Sequence, residues 1–207
     1  MQTATQQGEI VSYPLPQRQL LLDLGPGPNT FEVENILLAR QNADLIAIES
    51  RFSFTTLLER YLFPAYVDRL EILVEDFGLP DINQRSRLWG KRKVAEMFAI
   101  RPLGSAISSI SNAVQFYLDS PGTIYAALTE SDQLERLERL LKQQGLRVET
   151  YLNRDVTTFQ QGINLMGIKF PLAGELLTAS GKPFEVGDTS RPLSETPTIY
   201  ELLGMKI

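Results

Sequence analysis

A doubly wound α/β fold is predicted by this sequence: a mostly parallel seven-stranded sheet with an antiparallel C-terminal strand and helices on both faces. Three observations predict it. Short apolar runs of strand length alternate with amphipathic helical runs from residue 19 to residue 145, the pattern of parallel strands joined by right-handed crossovers. A proline-stiffened glycine turn, "GPGP" at 25–28, follows the first apolar run directly. Near the C-terminal end, two strand-like runs have no helical period between them, and such strands pair more easily as an antiparallel hairpin.

The elements follow in order. Gln19 to Leu24 is a buried strand, and "TFEVENILLARQN" (30–42) sets Phe31, Leu37 and Leu38 on a helical face. "DLIAIES" (44–50) is the second strand. The helix after it carries Phe54, Leu57, Leu58, Tyr61 and Leu62 at helical spacing, with Pro64 kinking or ending it. "LEILVED" (70–76) is the third strand, "VAEMFAIRP" (94–102) the fourth and "GTIYAALTE" (122–130) the fifth, with a helix over 105–120 between the last two. Ser131 caps "DQLERLERLLKQQG", where Leu134, Leu137, Leu140 and Leu141 form one stripe and Gly145 is the stop. The closing hairpin is then "LRVETYL" (146–152) with "INLMGIKF" (163–170).

These elements divide the chain into an N-terminal extension (1–18), the α/β domain (19–170) and a tail (171–207) rich in Pro, Gly and Ser. The tail ends in "TPTIYELLG" (196–204), where Thr196 as cap, Pro197 in the first turn and Gly204 as stop predict a short helix. Ile199, Leu202, Leu203, Met205 and Ile207 then need burial, either on their own sheet or in a homodimer.

Composition narrows the chemistry. A chain of 207 residues with 43% hydrophobic and 22% charged residues is ordinary for one generous globular domain. A net charge of −5 argues against general nucleic-acid affinity, while leaving room for a local basic patch. With no cysteine and no histidine, disulfides, thiolate nucleophiles, imidazole bases and the usual zinc ligands are all excluded, and no metal site is expected. The N-terminal segment has no apolar signal region and no run reaches the length of a membrane span, which predicts a cytoplasmic protein without a membrane partner.

Three motifs in order, "LLLDLGPGPNT", "LIAIES" and "VEDFGLP", fall where the first three strands end, the place where such sheets bind ligands. With these motifs, residues 19–170 resemble a class I S-adenosylmethionine-dependent methyltransferase. The resemblance implies S-adenosylmethionine as cofactor, with the Gly25 to Gly27 turn against its methionyl part and Asp23 near its amino group. It assigns the ribose hydroxyls to Glu49, the adenine amino group to Asp76, and an apolar wall with a backbone amide to Phe77. The first motif departs from the family at Asn29, where many members have a third glycine; Asn tolerates left-handed backbone, so the turn survives. "AIRPLG" after the fourth strand is not the Asn-Pro-Pro-Tyr type of tetrad found in enzymes that methylate exocyclic or amide nitrogens.

The acceptor is not identified. Arg101 stands where an acceptor approaches in the family, and an arginine there pairs either with a substrate anion or within the protein. "NQRSRLWGKRK" (83–93) gathers Arg85, Arg87, Lys91, Arg92 and Lys93 around the only tryptophan, Trp89. One reading makes Trp89 and Arg87 a grip for an anionic acceptor on the ligand side of the sheet. The other plugs Trp89 into the core beneath a solvated loop. No catalytic residue is assigned: a general base is a carboxylate or tyrosine such as Glu75, Tyr13 or Tyr125, or is not needed. Two alternatives stand beside methyl transfer. One is an idle relative that binds the nucleoside as a scaffold. The other is an NAD-dependent oxidoreductase, disfavoured because Thr30 stands at the last glycine of G-x-G-x-x-G.

Overall fold

A computed structural model describes residues 18–27, 30–100, 102, 104–128, 130–153, 163–165, 168–170 and 199–207. The first half runs β1 (Gln19–Leu24), α1 (Thr30–Ala39), β2 (Ala43–Glu49), α2 (Phe52–Tyr66) and β3 (Leu70–Val74). Then come β4 (Val94–Ile100), α3 (Ile107–Tyr117), β5 (Leu118–Leu128), α4 (Ser131–Gln143) and β6 (Arg147–Asn153). Three more strands, β7 (Ile163–Leu165), β8 (Ile168–Phe170) and β9 (Ile199–Lys206), complete the set.

Seven strands form one sheet in the order β3-β2-β1-β4-β5-β9-β6. The first five are mutually parallel, and β9 lies antiparallel between β5 and β6. The near-continuous apolar character of β1 and β2 reflects burial on both faces. Leu20, Leu22, Leu24, Ile46 and Ile48 belong to the core on one face, shared with α3 and with Phe77, Ile82 and Trp89 of the connection after β3, while Leu21, Leu45 and Ala47 pack under α1 and α2. Because β4 returns to the far side of β1 from β2, the strand order reverses there, and the carboxyl ends of β1 and β4 form the switch point at which such sheets hold ligands.

Local signals place most of the helices. α4 buries Leu137 and Leu141 and ends in a Schellman motif: Leu146 N–H donates to the Leu141 carbonyl at 3.1 Å and Gly145 N–H to that of Lys142 at 3.0 Å. Gly145, at φ 83°, supplies the left-handed residue that motif needs. Ser131 is the first helical residue rather than the cap, which is Glu130. Pro64 sits inside the last turn of α2, which ends two residues later.

The C-terminal region differs from expectation in two ways. The partner of β6 is not 163–170; that run is instead split into β7 and β8, a separate antiparallel ribbon. The short helix expected over 196–204 is the strand β9, which fills the gap between β5 and β6. Thr196 and Pro197 lie outside the described residues, as do 1–17 and 171–195. Gly204, read as a helix stop, has a packing role. A Cβ built on it would lie 2.8 Å from Ile124 Cγ2 and 3.3 Å from methyls of Leu141 and Leu146, so only glycine lets α4 and its C-terminal turn approach the sheet. Gly204→Ala is therefore expected to destabilise the protein by about 1–3 kcal/mol through overpacking, measured by urea unfolding. A neutral result would mean that this contact relaxes freely.

Candidate functional site

The site grows from the ends of β1 and β2. Parallel pairing sets Asp23 between Ala47 and Phe98, in the middle of the sheet, where it is fully buried. Burial is the main cause that pushes its pKa up from 3.8 to about 8; a proton shared with the side chain of Glu32 pulls the other way, and the charge of Glu49 adds to the rise. Glu32 stands in the first turn of α1 and is itself buried. It escaped the sequence reading because an acidic residue in a first turn is ordinarily a surface partner of the helix dipole. Its place directly after a glycine turn was the available signal.

Between β1 and α1 the backbone turns left-handed twice, at Gly25 (φ 73°) and Gly27 (φ 65°). Gly25 N–H donates to the Ile48 carbonyl at 2.8 Å, tying the turn to β2. A Cβ at Gly25 would come within 3.4 Å of the Phe77 ring, whereas one at Gly27 would meet nothing within 4 Å. One glycine thus admits a neighbouring side chain, and the other faces open space. Glu49, at the end of β2, is buried and holds the turn from the opposite side. Its Oε2 accepts from Gly27 N–H at 3.0 Å and its Oε1 from Arg51 N–H at 2.9 Å, with Ser50 Oγ at 3.4 Å. A carboxylate has about four acceptor positions, so these bonds fix its orientation and leave capacity on Oε2 for a ligand hydroxyl.

The third motif sits beside the other two, because β3 is paired with β2 at Glu49 and Val74. Asp76 is exposed and folds back on its own turn, its Oδ1 accepting from Gly78 N–H at 2.9 Å, which leaves Oδ2 available. Phe77 is buried, with its ring in the core beneath Gly25. The turn is pressed against α3: a Cβ on Gly78 would lie 2.9 Å from Ser109 Cβ.

The structure therefore brings Asp23, Gly25, Gly27, Glu49, Asp76 and Phe77 to one edge of the sheet. It separates the basic segment from them. Arg87 N–H donates to Glu71 and its guanidinium to the Val67 carbonyl, at the start of β3, and Arg92 pairs with Asp44 near the start of β2 at 2.6 Å. A connection between parallel strands must travel back to the amino edge before the next strand begins: Arg85 still reaches Glu75 beyond the end of β3, but residues 86–93 lie toward the edge opposite the glycine turn. Trp89 is core, 2% exposed, with its ring edge-on to Tyr117 at 4.7 Å. Of the two readings of this segment, the burial of Trp89 and the engagement of Arg87 with Glu71 and Val67 favour the one that plugs Trp89 into the core.

Arg101 and Tyr13 lie outside the described residues. Glu75 is ion-paired with Arg85, and Tyr125 stacks on Phe98 with its pKa raised chiefly by burial. Neither is poised as a base. No cluster of carboxylates arranged to hold a metal occurs among the described residues, and no described helix is long and apolar enough to cross a membrane.

No protein-family model and no curated protein sequence matches this chain. Solved structures do share its fold. A SAM-dependent O-methyltransferase from Thermotoga maritima superposes with a TM-score of 0.56 at 16% identity, over 92% of this chain and 61% of that one. A precorrin-6y C5,15-methyltransferase from Geobacter metallireducens gives 0.57 at 14% identity, over 93% and 82%. The Methanococcus jannaschii fibrillarin pre-rRNA processing protein gives 0.58 at 11% identity, over 94% and 69%. The chain thus spans about three fifths of the length of the Thermotoga protein. Strand order and these likenesses agree that the chain has the class I, Rossmann-like fold of S-adenosylmethionine-dependent methyltransferases.

Proposed function

We propose that this protein is an S-adenosylmethionine-dependent methyltransferase whose acceptor is unassigned. The observation that carries the reading is the buried acidic group of Asp23, Glu32 and Glu49 beside an open left-handed glycine turn. A dinucleotide would have to bring its pyrophosphate to that turn beside the Glu49 carboxylate, with no gain from an Asp23 that keeps its proton. S-adenosylmethionine has no phosphate, and its sulfonium and ammonium groups complement buried carboxylates in a site of low dielectric. This argues against the oxidoreductase alternative from charge alone.

The residues present fit the cofactor. Glu49, already oriented by Gly27, Ser50 and Arg51, offers the remaining acceptor position on its Oε2 to a ribose hydroxyl. Asp23 answers the ammonium group, and Asp76 keeps one oxygen for the adenine amino group. Gly27 leaves space for the ligand to lie on the backbone. Bound there, the cofactor would supply an electrophilic methyl group. The chain's part is alignment and exclusion of water, which can account for much of the rate of an in-line displacement without an acid or base from the protein.

Calorimetric titration with S-adenosylmethionine, S-adenosylhomocysteine and NADH tests the reading: the first two are expected to bind and the third not to. Glu49→Ala is expected to weaken S-adenosylhomocysteine at least tenfold, because a ribose hydrogen bond to a charged acceptor is lost. Unchanged affinity in that variant, or preferential binding of NADH, overturns the assignment. Cofactor binding without turnover over a broad panel of acceptors would favour the idle relative instead.

A further inference from the structure

At the amino edge of the sheet, roughly 20 Å from the glycine turn by the length of a six-residue strand, lies a second concave feature. It has a volume of about 370 Å3 and is lined by Asn83, Lys91, Arg92, Lys93, Phe116 and Lys206, among others, with the edge of Trp89 in its wall. Four cations line it and no carboxylate does. Three of them are held in place. Arg92 is fixed by Asp44 at 2.6 Å, Lys93 Nζ lies 3.4 Å from Asp119, and Lys206 Nζ donates to the Leu118 carbonyl at 2.9 Å. Lys91 is exposed, with no ion pair among the described residues. Asp44 and Asp119 balance two of the four charges, so Lys91 and Lys206 leave the pocket net positive in a chain of net charge −5. The ring of Phe116, 45% exposed, stands at the rim without being needed by the core.

We propose that this pocket is a binding site for a small phosphorylated ligand carrying a planar ring, of nucleotide size. The cations receive the phosphates and Phe116 receives the ring. A compact ligand is favoured over a polynucleotide on two grounds. The concavity matches a small molecule in volume, and the acidic remainder of the chain repels a long polyanion beyond the reach of this one patch. The proposal stands apart from cofactor binding, since the two sites occupy opposite edges of the sheet.

The test uses inorganic tripolyphosphate and ATP as probes, at about 50 mM salt, where phosphate contacts are weakly screened. Trp89, the only tryptophan, reports binding by fluorescence, and calorimetry runs in parallel so that an optically silent complex is still detected. Tripolyphosphate is expected to saturate at or below about 1 mM, with ATP roughly fivefold tighter or more from stacking. The double variant Lys91→Glu/Lys206→Glu should lose both, while Phe116→Ala should lose only the preference for ATP. Undiminished S-adenosylhomocysteine affinity or an unchanged unfolding midpoint in the double variant shows that it is folded. The proposal is overturned if neither probe saturates by about 10 mM, if the double variant binds both as tightly as the parent, or if a single-stranded oligonucleotide outcompetes ATP at equal phosphate concentration.

Discussion

Asp23→Asn is expected to leave stability almost unchanged below about pH 4 and to raise it markedly at pH 8. The sign follows from the direction of the shift. In the folded protein burial holds the Asp23 pKa near 8, against 3.8 when exposed, so between these values the native state keeps a proton that the unfolded chain gives up. Its contribution to stability is complete below about pH 4 and is lost as the pH rises through 8. At 1.36 kcal/mol per pH unit, the full span sets an upper limit of about 6 kcal/mol, reached only if Glu32 and Glu49 keep their own charge states throughout. Asn has nearly the same shape and no proton to lose, so the profile of the variant should be flat across this window. Urea unfolding at several pH values measures it, and parallel profiles for the two proteins would mean that Asp23 is ionised in the fold at neutral pH.

The same proton links stability to the proposed function. A cation placed beside Asp23 favours the carboxylate, so S-adenosylmethionine binding at pH 7 should release close to one proton. Titrations in buffers of different ionisation enthalpy read that release directly. Affinity should therefore rise with pH up to about 8 in the parent protein. In Asp23→Asn the release should vanish and binding weaken, with no residual pH dependence in that range.

Trp89→Ala is expected to cost about 3–5 kcal/mol, the range for truncating a large buried aromatic. The ring touches Tyr117 edge-on, and the Tyr117 hydroxyl accepts from Ile82 N–H at 3.1 Å and donates to the Leu79 carbonyl. Loss of the indole thus loosens the contact that fastens the whole β3 to β4 connection. The folded fraction of the variant should still bind S-adenosylhomocysteine normally, because the proposed cofactor site lies at the other edge. A variant of parental stability with impaired acceptor KM would restore Trp89 to a substrate role.

Much of this arrangement was legible in the chain because it depends on near neighbours. The apolar runs at Gln19 to Leu24 and Ala43 to Glu49 announce strands buried on both faces, and the stripe Leu134, Leu137, Leu141 with Gly145 announces α4 and its end. The two glycines after β1 are needed by a backbone that turns left-handed there, so their positions marked the switch point.

What the sequence could not settle was every feature decided by partners far away. "TPTIYELLG" carries helix punctuation, yet a gap between β5 and β6 with unpaired backbone on both sides outweighs a local preference worth a few tenths of a kcal/mol per residue. Gly204 looked like a stop and is a close contact with Ile124. Glu32 carried no signal of its own beyond its place after the glycine turn and lies buried beside Asp23. The basic segment followed a strand whose carboxyl end lies at the edge of the glycine turn, and only the crossover to β4 carried it to the other edge. Composition and periodicity by themselves determined the parallel α/β core, the glycine turn and the acidic ends of its strands, since each is encoded within a few residues. The tertiary structure alone decided the identity of the antiparallel strand, the burial of Glu32 and Trp89, and the side on which the cations stand, because those depend on which distant segments exclude water from one another.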